Sequence, residues 1–403
     1  MTRALTSIAA LAAKAHRLVD FRSVRPSHEA PQGDTLDWLA RLHADAERAA
    51  SPDPAAFDVE AFAVRMRKLL QRCGCSPEKI ATRGYEIASG PHEVWTDLSV
   101  YDVTGQPNGA GSSVRTELFA RAAEAAVDRL YAEEDDPPGD LIHVTCTGYT
   151  SPSAAQRLVA RRGWGKQTRV THAYHMGCYA SLPALRIARG FLAQGGGAFA
   201  RPSASPRVDV VHNEMCTLHL HPAEHTLEQL VVQSLFADGH IRYSFVPPGE
   251  RDRPAPGLAV LSAREEILSE SGASMTWQVS DHGMNMSLAR DVPERIAQVA
   301  RAFVVTLFED AEIDIGHISD TVFAIHPGGP KVIDVMQRAL ELSDAQVKES
   351  RAVLLRYGNM SSATLPHIWM RLAADRDVEP GTPIVSLAFG PGLTVSGSLM
   401  AKT

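Results

Sequence analysis

Cysteine is scarce in this sequence. Its 403 residues include five, Cys73, Cys75, Cys146, Cys178 and Cys216. An odd number at uneven spacing offers no disulfide framework and fits a reducing cytosol with at least one free thiol. Positive charge is not in excess: the net charge is −7, and no basic stripe offers phosphates a track, which excludes wholesale nucleic-acid binding. No uninterrupted apolar run is long enough to span a bilayer, so no membrane association is expected. Short-period repeats and low-complexity tracts are missing too. At the N-terminus, Arg3 and the Ala/Leu/Ile run up to Arg17 faintly resemble a secretory leader. Thr6 and Ser7 interrupt that run, Lys14 stops it, and no convincing cleavage site follows. Leu5, Ile8, Leu11 and Ala12 fall at helical spacing instead, which predicts an amphipathic helix in a cytoplasmic protein.

What is present is ordinary for a soluble globular protein, with 44% hydrophobic and 22% charged residues. The length suits two fused domains with a large core that needs no disulfide or metal. β-rich runs alternate with helical patterns, which predicts an α/β fold. The strand candidates are Leu141–Cys146, Arg169–Tyr174, Arg207–His212 followed by Met215–Leu218, Val322–Ile325 and Ile384–Ala388. Helices are expected over Val114–Tyr131 and Cys178–Gln194, the second stopped by Gly195-Gly-Gly197. Pro52–Pro54 and Glu133–Pro138 read as loops. Pro247–Pro256 is the sharpest break in composition and the expected boundary between two halves, 1–249 and 250–403.

Three strings carry chemistry. In His175-Met-Gly-Cys-Tyr-Ala-Ser181, a β-rich run leads into Cys178 and a helix follows. A sulfur at a helix N-terminus has its thiolate favoured by backbone N–H groups and the dipole. In Ala324-Ile-His-Pro-Gly-Gly-Pro330, His326 ends a buried strand on a stiff turn, the fixed geometry that a general base or donor needs. In Arg356-Tyr-Gly-Asn-Met-Ser-Ser-Ala363, Asn359 offers an amide that can donate to a developing oxyanion without titrating. Each has a plainer reading alone: a structural thiol, a satisfied core histidine and a helix cap.

Taken together, the strings resemble the chalcone-synthase-like enzymes, the type III polyketide synthases of the thiolase superfamily. The matching segments are Met176-Gly-Cys-Tyr-Ala180, Leu235-Phe-Ala-Asp-Gly239, His326-Pro-Gly-Gly-Pro330, Tyr357-Gly-Asn-Met-Ser-Ser-Ala363 and Phe389-Gly-Pro-Gly-Leu-Thr394. They follow the family's order between residues 140 and 400, and the first hundred residues match more weakly. The resemblance implies a duplicated thiolase fold, an α/β/α/β/α five-layered sandwich, normally a homodimer without a cofactor. The N-terminal half would carry the nucleophile Cys178, and the C-terminal half His326 and Asn359. Cys178 would hold the acyl chain as a thioester and pair with His326 as imidazolium. His326 and Asn359 would steady the enolate of the incoming unit.

The departures bear on substrate. By alignment with the family, one gatekeeping ring is retained as Phe236 and the other is replaced by Met286, whose unbranched thioether adapts to an aliphatic chain. His219, Trp277, Cys146 and Thr147 align with further pocket positions, and the bulk of Trp277 is expected to close one lobe. His219 and His221 would share one face of a strand, which raises a metal reading. Cys216 and Glu224 complete no common ligand spacing, so no metal is expected. Arg65, Arg67, Lys68 and Arg72 form a basic helix face where the family binds coenzyme A phosphates; an acyl carrier protein or plain solvent are the other readings.

The leading function is therefore a ketosynthase that joins acyl or β-ketoacyl thioesters by Claisen-type condensation. The departures resemble the branch that interconnects two chains into an α-pyrone in bacterial antibiotics of the myxopyronin and corallopyronin kind. The second reading is iterative extension with malonyl-coenzyme A, of the alkylpyrone or alkylresorcinol type. A non-catalytic partner subunit and a cysteine hydrolase of Cys/His/Asn logic are the readings from other classes. The intact residue set argues against the first, and the Gly-rich strings have no place in the second.

Overall fold

The computed structural model describes residues 7–87, 100–134, 136–193, 205–249 and 256–403. Thirteen strands are present among them: β1 Arg17–Val24, β2 His28–Pro31, β3 Thr82–Tyr85, β4 Asp140–Thr145, β5 Arg169–Tyr174, β6 Val208–Met215, β7 Asp238–Val246, β8 Leu258–Ile267, β9 Met275–Ser280, β10 Gly283–Leu288, β11 Val322–Ile325, β12 Pro383–Gly390 and β13 Thr394–Lys402. Nine form one sheet in the order β11-β12-β13-β8-β1-β7-β6-β4-β5, and β9–β10 and β2–β3 make two small hairpin-like sheets.

The pairing repeats itself. Parallel β11–β12 is followed by antiparallel β12–β13 and β13–β8, and parallel β4–β6 is followed by antiparallel β6–β7 and β7–β1. The two sets meet where Arg17 and Leu18 of β1 pair with Ala259 and Leu258 of β8. This is the duplicated topology that the sequence led us to expect. Strands β6, β7, β12 and β13 are buried along their whole length, as required of strands covered on both faces. The helices Ser181–Ala193 and Thr364–Ala374 fill the middle layer, with Leu182, Leu185, Ile368 and Trp369 in one apolar cluster with Ile142, Val210 and Ile384. Outer helices cover the other faces: Phe119 and Val127 of Ser112–Leu130 on one side, Phe303, Val304 and Leu307 of Val292–Asp310 on the other.

Three local expectations are corrected, and a fourth lies outside the described residues. The N-terminal helix covers only Ile8–Ala12, because the chain must turn to enter β1 at Arg17; Leu5 lies outside the described residues. Met215 ends β6, and Cys216–His219 is a 3₁₀ turn, not a further strand. The α-helix expected from Cys178 starts at Ser181, after a 3₁₀ turn over Gly177–Tyr179. The expected stop at Gly195–Gly197, and part of the Pro247–Pro256 break, fall outside the described residues. No helix among the described residues is long and apolar enough to cross a membrane.

Candidate active site

Cys178 sits just beyond the end of β5, and the approach to it is conformationally demanding. His175 adopts φ 61° and Gly177 φ 76°. A Cβ on Gly177 would lie 2.9 Å from Cδ of Pro391, so glycine is needed there for its backbone angle and for the close loop beside it. His326 follows β11, and its backbone N–H donates to the Leu387 carbonyl of β12 at 2.7 Å. Asn359 follows Gly358, whose φ is 73°. The Asn359 backbone is clamped on both sides: its N–H donates to the Leu235 carbonyl at 3.0 Å, and its carbonyl accepts from Ala237 N–H at 2.9 Å. All three side chains are buried, and they line one cavity of about 50 Å³ with Phe236, Met275, Met286 and a set of aliphatic residues.

The donors of this site are aimed. Asn359 Oδ1 accepts from Ser361 N–H at 2.9 Å, which fixes the amide so that its N–H₂ is the end left for the cavity. Among the described residues, that amide lies a long 3.5 Å from the Gly328 carbonyl and also hydrogen-bonds the Cys178 sulfur. Neither ring nitrogen of His326 has a hydrogen-bond partner among the described residues. An unpartnered polar ring in a dry cavity is costly in the empty protein, and a ligand oxygen would relieve it.

Burial acts on the charge of both titrating groups. Burial pushes the Cys178 thiol up to about 12, opposed by hydrogen bonds from Ser361 and Asn359 and aided by the Glu214 charge. Burial lowers His326 to about 3. Burial thus works against charge on both groups in the empty site, whereas the resemblance implies a thiolate–imidazolium pair. The 3₁₀ turn and its dipole do not offset desolvation of the sulfur.

A second cavity, about 20 Å³, adjoins Cys178 and shares Phe236, Met275 and Met286 with the first. Cys146, Thr147, Trp277 and Ser361 line it. Trp277 lies directly across the β9–β10 pair from Met286 and donates from Nε1 to the Cys146 carbonyl at 2.7 Å. Its indole is pinned, as a wall should be. Of the pocket residues read from sequence, His219 is the exception: it is absent from both linings. Because it lies in a 3₁₀ turn, its ring packs edge-on behind Trp277, and Nε2 bonds the Thr147 carbonyl at 2.8 Å. His221 Nε2 bonds the Met284 carbonyl at 2.9 Å. The strand-based pairing of these two histidines is therefore corrected. Among the described residues, no three metal-ligating side chains cluster.

The basic residues lie on the helix Val59–Cys73, and none of them lines either cavity. Arg67 is ion-paired to Asp37 at 2.8 Å, and the Arg65 guanidinium stacks over Phe62. Lys68 and Arg72 are exposed. Sequence reasoning missed Met275, which is two residues before Trp277 on one strand and so on the same face. It also missed Ser361, which stood inside the Asn359 string, and Glu214, which nothing in its local sequence sets apart.

A duplicated α/β sandwich with thiol, imidazole and carboxamide gathered at one apolar cavity defines a thiolase-type protein. Solved structures agree on the fold. A polyketide synthase from the brown alga Ectocarpus siliculosus superimposes with a TM-score of 0.80 at 18% identity, over 97% of this chain and 99% of that one. The 1,3,6,8-tetrahydroxynaphthalene synthase of Streptomyces coelicolor A3(2) gives 0.74 at 23% identity, over 96% and 99%. Residues 112–243 match the N-terminal domain of chalcone and stilbene synthases, and residues 259–403 match the C-terminal domain. Bisdemethoxycurcumin synthase of Oryza sativa subsp. japonica is 30% identical over 298 residues, 71% of each chain. The chain belongs to the chalcone and stilbene synthase family. The match spans 9% of a probable polyketide synthase from Dictyostelium discoideum, at 30% identity, and 66% of a type III polyketide synthase from Arabidopsis thaliana, at 27%.

Proposed function

We propose that this protein condenses acyl thioesters, with Cys178 as the acyl-bearing nucleophile and His326 and Asn359 as the donors to thioester oxygen. The observation that carries this is the convergence of the three buried side chains on one cavity, with the His326 ring unpartnered and the Asn359 amide fixed by Ser361. Two aimed donors in a water-poor site stabilise the oxyanion of acyl transfer and then the enolate of the incoming unit. The enolate carbon attacks the Cys178-bound thioester, the C–C bond forms, and the Cys178 sulfur leaves.

The substrates are medium-to-long aliphatic chains. Val232, Leu235, Leu288, Val292, Ile296 and Val332 line the larger cavity, and burying methylenes there contributes roughly 0.8 kcal/mol each. The finer reading is that two β-ketoacyl chains are joined into an α-pyrone. Two apolar cavities meet at Cys178, one for each chain, and the pinned Trp277 leaves little room for a folded, growing polyketide. A β-ketoacyl unit is already acidic between its carbonyls, so its enolate forms by loss of a proton, without decarboxylation. Attack of an enol oxygen on the remaining thioester carbonyl then closes the lactone and expels the carrier thiol. The chains arrive on coenzyme A or on a carrier protein, and a homodimer is the expected assembly. Family membership favours the second reading, iterative extension with malonyl units. The test supplies two different β-ketoacyl thioesters with no malonyl donor and analyses products by mass spectrometry. A cross-coupled pyrone supports chain joining; product that forms only with malonyl thioester establishes the iterative reading.

A further inference from the structure

β11 ends the nine-stranded sheet, and His326 follows it directly. An edge strand leaves a row of N–H and C=O groups that cannot be buried unpaired. Here two residues take the place of a tenth strand. The Phe323 N–H donates to the Gln346 carbonyl at 2.8 Å, and Gln346 Nε2 donates to the Thr321 carbonyl at 2.9 Å. Ser350, in the helix Lys348–Tyr357, completes the edge with one hydroxyl. Its Oγ accepts from the Ile325 N–H at 2.9 Å and donates to the Phe323 carbonyl at 3.1 Å. Ser350 is fully buried, and Ile325 is the residue before His326. On the other side of β11 the next N–H, that of His326, donates to the Leu387 carbonyl of β12. The same helix leads to the second donor of the site. The Gly358 N–H caps it by donating to the Leu354 carbonyl at 2.9 Å, and Asn359 comes next.

We infer that Ser350 is a positioning residue for His326, and that the helix Lys348–Tyr357 sets the spacing of the two donors, His326 and Asn359. The inference rests on the acyl-thioester reading of the site. Ser350 reaches His326 through a single peptide unit, and Asn359 lies just past the end of the helix. Between them Val353 and Leu354 are buried in the core, so the helix joins the two donors as a fixed strut. The His326 ring has no hydrogen-bond partner of its own among the described residues. Its place is therefore decided by packing and by its backbone, which Ser350 holds on one side and Leu387 on the other. Without the Ser350 hydroxyl, the Ile325 N–H and the Phe323 carbonyl lose a buried partner, and β11 must shift to find others. A donor serves an enolate only at the right distance and angle, and a displacement of about 1 Å can cost about 10²-fold in rate. Loading of Cys178 depends less on this strut. The thiol follows β5, and its approach is set by Gly177 against Pro391, which Ser350 does not touch.

The experiment compares Ser350→Thr with Ser350→Val, which share a shape and differ in the hydroxyl. Intact-protein mass follows loading of Cys178 from a fatty-acyl coenzyme A thioester. A second single-turnover assay follows condensation of the loaded protein with a β-ketoacyl thioester and, separately, with a malonyl thioester. Ser350→Thr should keep both steps within about twofold of the parent. Ser350→Val should load within about threefold, yet condense about 30-fold more slowly at saturating second substrate, inside the range of a misplaced catalytic group. The concentration of second substrate that gives half the maximal rate should stay within about twofold, because binding is not what Ser350 serves. Equal condensation by the two variants overturns the positioning role. So does a loss of loading in Ser350→Val as large as its loss of condensation, which is what a merely structural serine would give. Thermal unfolding checks the fold of each variant. If Ser350→Val does not fold, Ser350→Cys, a weaker donor and acceptor, takes its place, and condensation equal to that of Ser350→Thr overturns the role. If the parent neither loads nor condenses, or if Cys178→Ala loads, the acyl-thioester reading falls first.

Discussion

Two clusters of buried acid lie in the same half of the molecule and are built on opposite principles. Asp209 and Glu134 are neutralised by Arg207 and Arg242, with Arg242 at 3.0 Å from Glu134 and 3.4 Å from Asp209, and Arg207 at 3.1 Å from Asp209. Tyr131 and Ser244 add hydroxyl donors to Asp209 at 3.0 and 2.8 Å. Glu214, five residues further along the same strand, is solvated only by neutral donors, a backbone N–H, hydroxyls and a thiol. In the first cluster charge is held against countercharge. In the second, burial raises the affinity of the carboxyl for a proton against the opposition of those donors. A fold that meant only to bury Glu214 could have supplied an arginine, as it did five residues earlier. Glu214 therefore keeps a buried carboxyl on neutral donors, beside the nucleophile, among the described residues.

The largest expected effect belongs to the nucleophile itself. Cys178→Ala should abolish acyl loading, read as complete loss of the mass increment on intact protein, while Cys216→Ala loads. Loading that persists in Cys178→Ala would move the chemistry elsewhere and remove the reason to set Glu214 apart.

The comparison breaks most directly on stability. Arg242→Leu leaves Asp209 and Glu134 to Arg207 alone, and removing one partner from these buried pairs costs about 3 kcal/mol, the low end for a broken buried ion pair. Glu214→Gln keeps an acceptor and loses only charge-assisted strength in its hydrogen bonds, about 1–2 kcal/mol. Urea unfolding of both variants should give the larger loss for Arg242→Leu. Equal losses would mean that Glu214 is as structural as Asp209.

Asn359→Ala removes a donor that Ser361 holds in place. Loss of one such donor is worth about 10²–10³ in rate. Because the enolate depends on it more than the first acyl transfer does, condensation should fall by that factor while loading falls less. Equal loss of both steps in single-turnover assays would contradict this division.

How much of this was legible beforehand depends on the range of the signal. Cys178, His326 and Asn359 stood in local strings whose glycines and prolines set their backbones; the alternation of strands and helices followed from pattern, and the duplication from the resemblance to the chalcone-synthase-like enzymes. Glu214 was hidden because its partners Cys146 and Ser362 lie 68 and 148 residues away, and no spacing rule connects them. His219 misled because strand alternation was assumed across Met215–Leu218, where the chain turns. The depth at which Cys178 is buried, which works against its thiolate, was not visible in a sequence that shows only the following helix. The basic run Arg65–Arg72 was real as a helix face, yet Arg67 turns to Asp37 and Arg65 to Phe62.

The smallest expected effect concerns the wall shared by the two cavities. Met286 borders both, and the volumes, about 50 and 20 Å³, are too small for a long acyl chain as they stand. Something must move when a chain enters. Backbone movement of β10 at this point is opposed: the Met286 carbonyl accepts from Gln229 Nε2 at 2.6 Å, and Trp277 across the strand pair is fixed to Cys146. The adaptable element is the thioether side chain, with three rotatable bonds and a soft sulfur. Met275 and Phe236 stand beside it, and of the three Phe236 is the stiffest. Met286→Phe replaces the adaptable member with a second ring, so entry of a long chain must then shift packed aromatic bulk, at a cost of about 1–3 kcal/mol. Loading of a long-chain acyl thioester should fall by about tenfold or more relative to a short one, and parental preference should lie with aliphatic over aromatic starters. The ratio of loading rates for long, short and aromatic thioesters, measured in parent and variant, decides it. A ratio unchanged by Met286→Phe would place the adaptable wall at Met275 instead.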